Sequence, residues 1–376
     1  MRRAAALLLA LALSAPAQII SPTGGGVSNA AALTYTVITT GTLSSTQNDF
    51  SPTGLSTASM IRIAASQVVS ITGLVAQSTA RPITLVNVSN FPIFLHEENS
   101  GSTAANRFAF PAEVVLMPGE SFIISYDTTS SRWRGPTPPS YCHNFANGIC
   151  IYEEWPATSN SCIGSYNWVS SVSGSGASCA NTVAGVDTTS RVFGNAALTT
   201  GTTTSGRSGM TLANSSIVIG AGILVHRFRV IFPTLSTVGE EYYFASGLGS
   251  LFNATGGSIA AAPTSGIYLL YDRVASGSDI WRSVTCASSS CTVNTGAAVT
   301  TTVQQGMIVV NAAGSSVDFY VRAGLAAAWT KIATHSATIP TTSTALGWGV
   351  KIEKTAGTTA RLAHVDSWWA AYMTGQ

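Results

Sequence analysis

Residues 223–232 read Ile-Leu-Val-His-Arg-Phe-Arg-Val-Ile-Phe. In an extended chain, successive side chains point to opposite sides. Leu224, His226, Phe228, Val230 and Phe232 therefore share one face. Ile223, Val225, Arg227, Arg229 and Ile231 share the other. A strand with arginines on one face only is half-buried, as antiparallel sheets allow. Similar strands follow at Tyr242–Phe244, Gly266–Tyr271, Met307–Val310 and Val317–Val321, with a turn at Asn311–Ser315 between the last two. A final apolar strand spans Ala360–Met373 and sends Trp368 and Trp369 to opposite faces. His226, between Leu224 and Phe228, reads as a hydrogen-bonded core histidine.

Composition supports an all-β fold. The chain has 376 residues, enough for two domains, and 45% are hydrophobic. Thr, Ser, Ala, Val, 35 glycines and 14 prolines read as many short strands and turns. Only 9% of residues are charged and the formal net charge is +2. The basic residues are scattered, so no stripe exists for nucleic acid. Mean hydropathy is +0.30, yet no later apolar stretch is long enough to span a membrane.

The chain opens Met-Arg-Arg, continues as an apolar run over Ala4–Leu13 and reaches Ala15-Pro16-Ala17. This is the layout of a signal peptide over residues 1–17. Its removal leaves a formally neutral chain with an extracellular, secreted or virion-associated destination. The six cysteines agree with export. Fifteen pairings are open to six cysteines; nearest neighbours give Cys142–Cys150, Cys162–Cys179 and Cys286–Cys291. The last pair sits at the mouth of a hairpin.

Residues 18–58 read as an extended Thr/Ser/Gly-rich lead-in. Residues 59–135 read as a small β-sandwich or barrel, because short apolar runs recur about every ten residues. Gly135-Pro136-Thr137-Pro138-Pro139 opens a proline-rich linker over 136–149, and 150–376 forms the second domain. The first domain resembles a β-module of phage tail and other virion-appendage proteins. The resemblance is carried by Arg81–Val88, Leu95–Glu98, Ser102–Phe108, Pro118–Ser121, Tyr126-Asp127 and Ser131–Arg134. It assigns structural roles: Asn106-Arg107 closes a loop, Pro118-Gly119 turns, and Trp133 caps the core. The second domain resembles the concanavalin A-like, laminin-G-like jelly roll found in such proteins. Gly266–Asp272, Trp281–Thr285, Asn294–Val299, Val317–Val321, Ile339-Pro340, Lys351–Lys354 and Arg361–Asp366 carry that likeness in order. Arg322-Ala323-Gly324 departs from it, as do the cysteine pairs. The likeness implies a surface-displayed glycan binder or structural module, with a trimer as the implied homo-oligomer.

The motifs of hydrolysis are missing. No aspartate is flanked two residues away by glutamates, as the laminarinase arrangement requires. Glu97-Glu98, Glu153-Glu154 and Glu240-Glu241 are adjacent pairs, which a strand sends to opposite sides. There is no G-x-S-x-G or HExxH string, and no cysteine or histidine spacing for zinc. No aspartate-rich loop suggests calcium. The expectation is a protein without enzymatic activity, cofactor or metal. A split carboxylate pair, Glu241 with Asp272, is the hydrolase alternative, and a secreted bacterial adhesin is the other rival. The candidate glycan-binding residues are Trp281 with Asp279 and Arg282, after a loop at Ala275–Asp279, and Trp348 between two glycines. Sugars present an apolar face to an aromatic ring and hydroxyls to polar neighbours.

Overall fold

The computed structural model describes residues 35–136, 148–155, 162, 164–182, 194–252, 258–259, 263–273, 277–325 and 327–374. From Thr36 onward the chain forms one compact unit. Its described secondary structure is almost entirely β, in two modules, each with its own core.

The first module contains β1 (Val37–Thr39), β2 (Met60–Ile63), β3 (Val69–Ile71), β4 (Pro82–Asn87), β5 (Ile93–Leu95), β6 (Val114–Leu116), β7 (Ser121–Asp127) and β8 (Arg132–Arg134). β1-β2-β4-β7-β8 form one sheet and β3-β5-β6 a second. Between them lie Ile61, Ile71, Leu85, Ile93, Phe108, Ile124 and Trp133. Trp133 is fully buried and donates its Nε1–H to the Leu74 carbonyl at 2.7 Å. Asn106 closes its loop as the sequence implies, accepting from the Ala76 N–H and donating to Asp49.

Much of the pairing inside this module is parallel. β1, β2 and β4 run parallel, as do β3 and β5. Isolated parallel bridges add Leu43–Ala65, Gln47–Ile71 and Phe50–Leu74. Partners lie 22 to 24 residues apart, so the chain winds in successive coils before β6 and β7 return antiparallel. Within the described part of the lead-in, residues 36–58 form the first coil. The expected boundary at residue 59 therefore falls inside a paired region. The 137–147 part of the expected linker and the 1–17 signal segment lie outside the described residues.

The second module contains β9 (Gly148–Glu154), β10 (Val169–Ser173), β11 (Ser178–Thr182), β12 (Asn195–Thr199), β13 (Arg207–Ile217), β14 (Gly222–Ile231), β15 (Tyr242–Gly249), β16 (Gly266–Arg273), β17 (Asp279–Ala287), β18 (Ser290–Ala298), β19 (Gln304–Val310), β20 (Val317–Ala323), β21 (Thr330–His335), β22 (Leu346–Lys354) and β23 (Leu362–Thr374). They form a jelly-roll sandwich of two antiparallel sheets. The front sheet runs β10-β13-β22-β15-β16-β17-β18 and the back sheet β11-β12-β23-β14-β19-β20-β21, with β9 also on β23.

The alternation in residues 223–232 sets the layers. Leu224, Phe228, Val230 and Phe232 enter the inter-sheet core with Phe244, Tyr271, Trp281, Trp348 and Trp368. Ile223 and Val225 face outward into a separate apolar cluster. Trp368 and Trp369 divide between the two clusters, as the sequence indicates. An extra residue in β23 shifts the pairing between Arg229↔Ser367 and Val230↔Val365. That residue is Asp366, which pairs with Arg229. Such a bulge re-aims one side chain without losing the sheet.

Two expected disulfides are present. Cys162 bonds Cys179, with Cα atoms 5.5 Å apart. Cys286 bonds Cys291 across the β17–β18 register, with Cα atoms 4.1 Å apart. Ser288 and Ser289 make the two-residue turn, both with positive φ, as a tight primed hairpin turn requires. The Cys142–Cys150 expectation involves Cys142, outside the described residues.

Candidate functional site

The first module covers much of the back sheet's outer face. Val68, Phe94 and Met117 of the first module pack against Val225, Met307, Val309, Tyr320, Trp329 and Trp369. The Tyr320 hydroxyl accepts from the Val68 N–H at 3.2 Å. At the centre of this contact is Glu113. Arg322 approaches it at 2.7 Å and Arg227 at 2.9 Å, and His96 Nδ1 lies 3.1 Å away. Both guanidiniums also donate to Gln305 Oε1. Arg322 stacks over Trp329 at 4.5 Å. Burial alone would raise the Glu113 pKa; the two arginines and His96 outweigh it and hold the carboxyl at about 2. Burial pushes His96 down to about 4, against the pull of Glu113. His96 is thus neutral at pH 7. Its Nδ1–H donates to Glu113, and its Nε2 accepts from Ser70 Oγ at 3.0 Å.

The front sheet's outer face is not covered in this way among the described residues. Strand register brings its polar groups together. Arg207 of β13 lies opposite Glu353 of β22, Glu353 opposite Tyr243 of β15, and Phe244 opposite Tyr271 of β16, which sets Tyr243 beside Asp272. The adjacent row runs from Gly209 through Lys351 and Ala245 to Leu270 and Arg282. Neighbouring strands are about 4.8 Å apart, so the row from β13 to β17 is roughly 19 Å wide. Arg207, Tyr243 and Arg282 are half-buried; Lys351, Glu353 and Asp272 are buried. Arg282 Nη2 contacts Asp272 Oδ2 at 2.9 Å. Burial raises the Asp272 pKa, with Arg282 opposing and Glu241 adding to the rise. Burial likewise raises Tyr243, reinforced by Asp272, Glu241 and Glu353. Lys351 is pushed down to about 8 by burial, with Glu353 opposing.

The other end of this face is apolar and roofed. The 3-10 turn Ser250–Phe252 and Ile259 pack on Ala245, Tyr268, Val284 and Cys286. Ser258 Oγ and the Ile259 N–H both donate to the Glu353 carboxylate, tying the roof to the polar row. Gly349 permits the approach: a Cβ there would stand 2.7 Å from Phe252.

The expected glycan-binding residues separate. Trp281 and Trp348 point into the inter-sheet core, at 0% and 1% exposure. Trp281 is surrounded by Phe228, Phe232, Phe244 and Tyr271. Neither can serve as a platform, because each lies on the inward parity of its strand. Asp279 is a structural acceptor. It takes the Tyr271 hydroxyl at 2.6 Å and Arg273 at 3.4 Å. Arg282 alone of the four reaches the front face. Residues 274–276 of the expected loop lie outside the described residues. Of the hydrolase pair, Asp272 is on the front face with Glu241 near enough to act on it electrostatically. Glu240 instead accepts from the Thr358 and Thr359 N–H groups, and Glu153 accepts from Ser165, Tyr166 and Trp168. His226 donates to or accepts from Ser246 Oγ at 2.9 Å inside the core, and burial drives it down to about 3.

Arg207, Tyr243, Lys351 and Glu353 were not singled out from sequence. Alternation in Lys351-Ile352-Glu353 and Tyr242-Tyr243-Phe244 gave their parity, but nothing in one sequence says that β13, β22 and β15 are neighbours. Among the described residues no group of three or more acidic, histidine or cysteine side chains could hold a metal ion. No helix among them is long and apolar enough to cross a membrane.

No protein-family profile matches the chain, and no curated protein does. Solved structures resemble it at low identity. A protein of unknown function, SO2946, from Shewanella oneidensis MR-1 is 13% identical with a TM-score of 0.41, over 62% of this chain and 91% of that one. Peanut lectin is 12% identical with a TM-score of 0.40, over 61% and 100%. The CBM2 module of the evolved Dit protein of Lactobacillus casei BL23 phage J-1 is 11% identical with a TM-score of 0.30, over 46% and 71%. At these identities no residue's role passes from them to this chain.

Proposed function

We propose that this chain is a non-enzymatic, carbohydrate-binding protein of a surface or virion appendage, with its ligand on the outer face of the front sheet. One observation carries the reading: the back sheet is engaged by the first module, while the front sheet presents Arg207, Tyr243 and Arg282 half-exposed in neighbouring rows. A half-buried tyrosine with arginine donors in its own and the adjacent row suits a sugar, whose C–H face stacks while its hydroxyls accept hydrogen bonds. The first module then acts as the attachment or assembly element, fixed to the sandwich through Glu113. The disulfides suit an oxidising, extracellular setting.

Catalysis is the weaker reading. Asp272 is engaged by Arg282 and Glu353 by the roof, so neither carboxylate is free to serve as acid or base. The test uses the full chain with oxidised cysteines and a panel of bacterial surface polysaccharides. Retention and new reducing ends are read from the same samples. Retention without product, lost in Tyr243→Ala, supports the proposal. New reducing ends that disappear in Asp272→Asn would replace it with a hydrolase. Fractionation of the native host separates the appendage from the secreted adhesin: protein found free outside cells, without particles, favours the adhesin.

A further inference from the structure

We infer that the saccharide taken by the front face is an acidic one, with its anionic groups held at the Arg207 corner of the sheet. The inference rests on the front-face reading above and names the class of ligand.

Arg207 opens β13, between Ser173 of edge strand β10 and Glu353 of β22. Its side chain is half-buried. Among the described residues its guanidinium makes no hydrogen bond and no ion pair, and its Nε is shut away from solvent without an acceptor. The other arginines that reach outward from the two sheets are engaged: Arg227 and Arg322 by Glu113, Arg229 by Asp366 and Arg282 by Asp272. A half-buried guanidinium with no acceptor bears a desolvation cost that an incoming anion can offset.

Its surroundings add to that demand. Lys351 lies one row away, opposite Gly209, and its ammonium is disfavoured by burial and by Arg207 itself. Glu353 is the acidic residue paired opposite Arg207, and its carboxylate already accepts from Ser258 and Ile259. The carboxylate that faces Arg207 across the register is thus already committed elsewhere. Gly209, two residues along β13 on the same face, lies against the Lys351 stem: a Cβ there would stand 3.1 Å from Lys351 Cγ. The planar fork of arginine fits a uronate carboxylate or a sulfate ester through two parallel hydrogen bonds. A neutral sugar leaves that fork unmatched. Tyr243, two strands along the same row, offers the ring face for the neighbouring sugar.

The test compares four polymers on the full chain with oxidised cysteines: polygalacturonate, its carboxyl-reduced galactan, dextran sulfate and dextran. Affinity electrophoresis at low and high salt gives the dissociation constants. The expected result is a preference of about tenfold or more for at least one acidic polymer over its neutral partner, weakened by salt. Arg207→Gln should abolish that preference and Arg207→Lys retain part of it. A thermal melt confirms folding, since the substitution breaks no ion pair. Equal binding of acidic and neutral polymers, or a preference unchanged in Arg207→Gln, overturns the inference and leaves the front-face reading standing. If none of the four is retained, both fail.

Discussion

Replacing Glu113 with Gln tests how the first module is held to the sandwich. The carboxylate bridges Arg227 and Arg322 across the interface and accepts from His96. Its pKa is held at about 2 against an ordinary 4.5. At 1.36 kcal/mol per unit, that difference corresponds to about 3 kcal/mol of stability at neutral pH. Gln also leaves two guanidiniums facing a neutral amide, and breaking such a partly buried network costs about 3–5 kcal/mol. The sign with pH is fixed. A carboxyl with a depressed folded pKa contributes fully above its unfolded value and loses its contribution as pH falls through the folded one. The gap between wild type and Glu113→Gln should therefore be near 3 kcal/mol at pH 7 and shrink between about pH 4.5 and pH 2. Urea unfolding followed by tryptophan fluorescence measures it, because Trp329 stacks on Arg322. A gap below about 0.5 kcal/mol at pH 7, the size of an ordinary surface substitution, would refute the reasoning. So would a gap that does not change with pH.

His96 and His226 have folded pKa values of about 4 and about 3. Between these values and the unfolded value near 6.5 the unfolded chain binds more protons, so stability should fall as pH drops below about 6.5. NMR titration should show both rings neutral at pH 5.5. Trp348→Ala should cost about 3–5 kcal/mol through the cavity it opens, with polysaccharide affinity of the folded fraction unchanged. A selective loss of binding would return Trp348 to the site. Reduction of Cys162–Cys179 should cost about 3 kcal/mol and of Cys286–Cys291 about 2 kcal/mol, following loop length, as Cys→Ser pairs in denaturant titrations would show. Gly306→Ala should destabilise by about 1–3 kcal/mol through overpacking. A Cβ there would stand 2.3 Å from the Phe228 ring, and the melting temperature reports the effect.

The sandwich was legible where period two meets a sharp contrast in side chains. Arg227 and Arg229 against Phe228 and Val230 fix both faces of β14, and Trp368 against Trp369 does the same for β23. The Cys286–Cys291 hairpin was legible because spacing and flanking strands agree. The parallel coils were hidden. Their pairs, such as Gln47 with Ile71, lie 24 residues apart and share no residue type that marks a repeat. Composition misled in 36–58, where polar Thr and Ser sit on a coil whose core contacts come from only a few residues, among them Ile38, Leu43, Phe50 and Leu55. Trp281 and Trp348 lie in the core and not on a face, because tryptophan is as suited to a core as to a sugar platform. Trp281 and Trp348 alternate with Arg282 and Gly349, and parity alone does not say which side of a sheet is the ligand's. What distinguishes the two faces is where the first module packs, a long-range fact carried by Glu113, Arg227 and Arg322, and the front-face proposal rests on it.

The central claim is that ligand occupies the front face. Hydroxyl-radical footprinting of the full chain, with and without a retained polysaccharide, tests it most directly. Tyr243 is half-exposed on that face, while Tyr166 is more exposed, at 43%, and lies outside the polar row. The account predicts that ligand lowers oxidation of Tyr243 and leaves Tyr166 unchanged. Protection of Tyr166 with Tyr243 still reactive would contradict it.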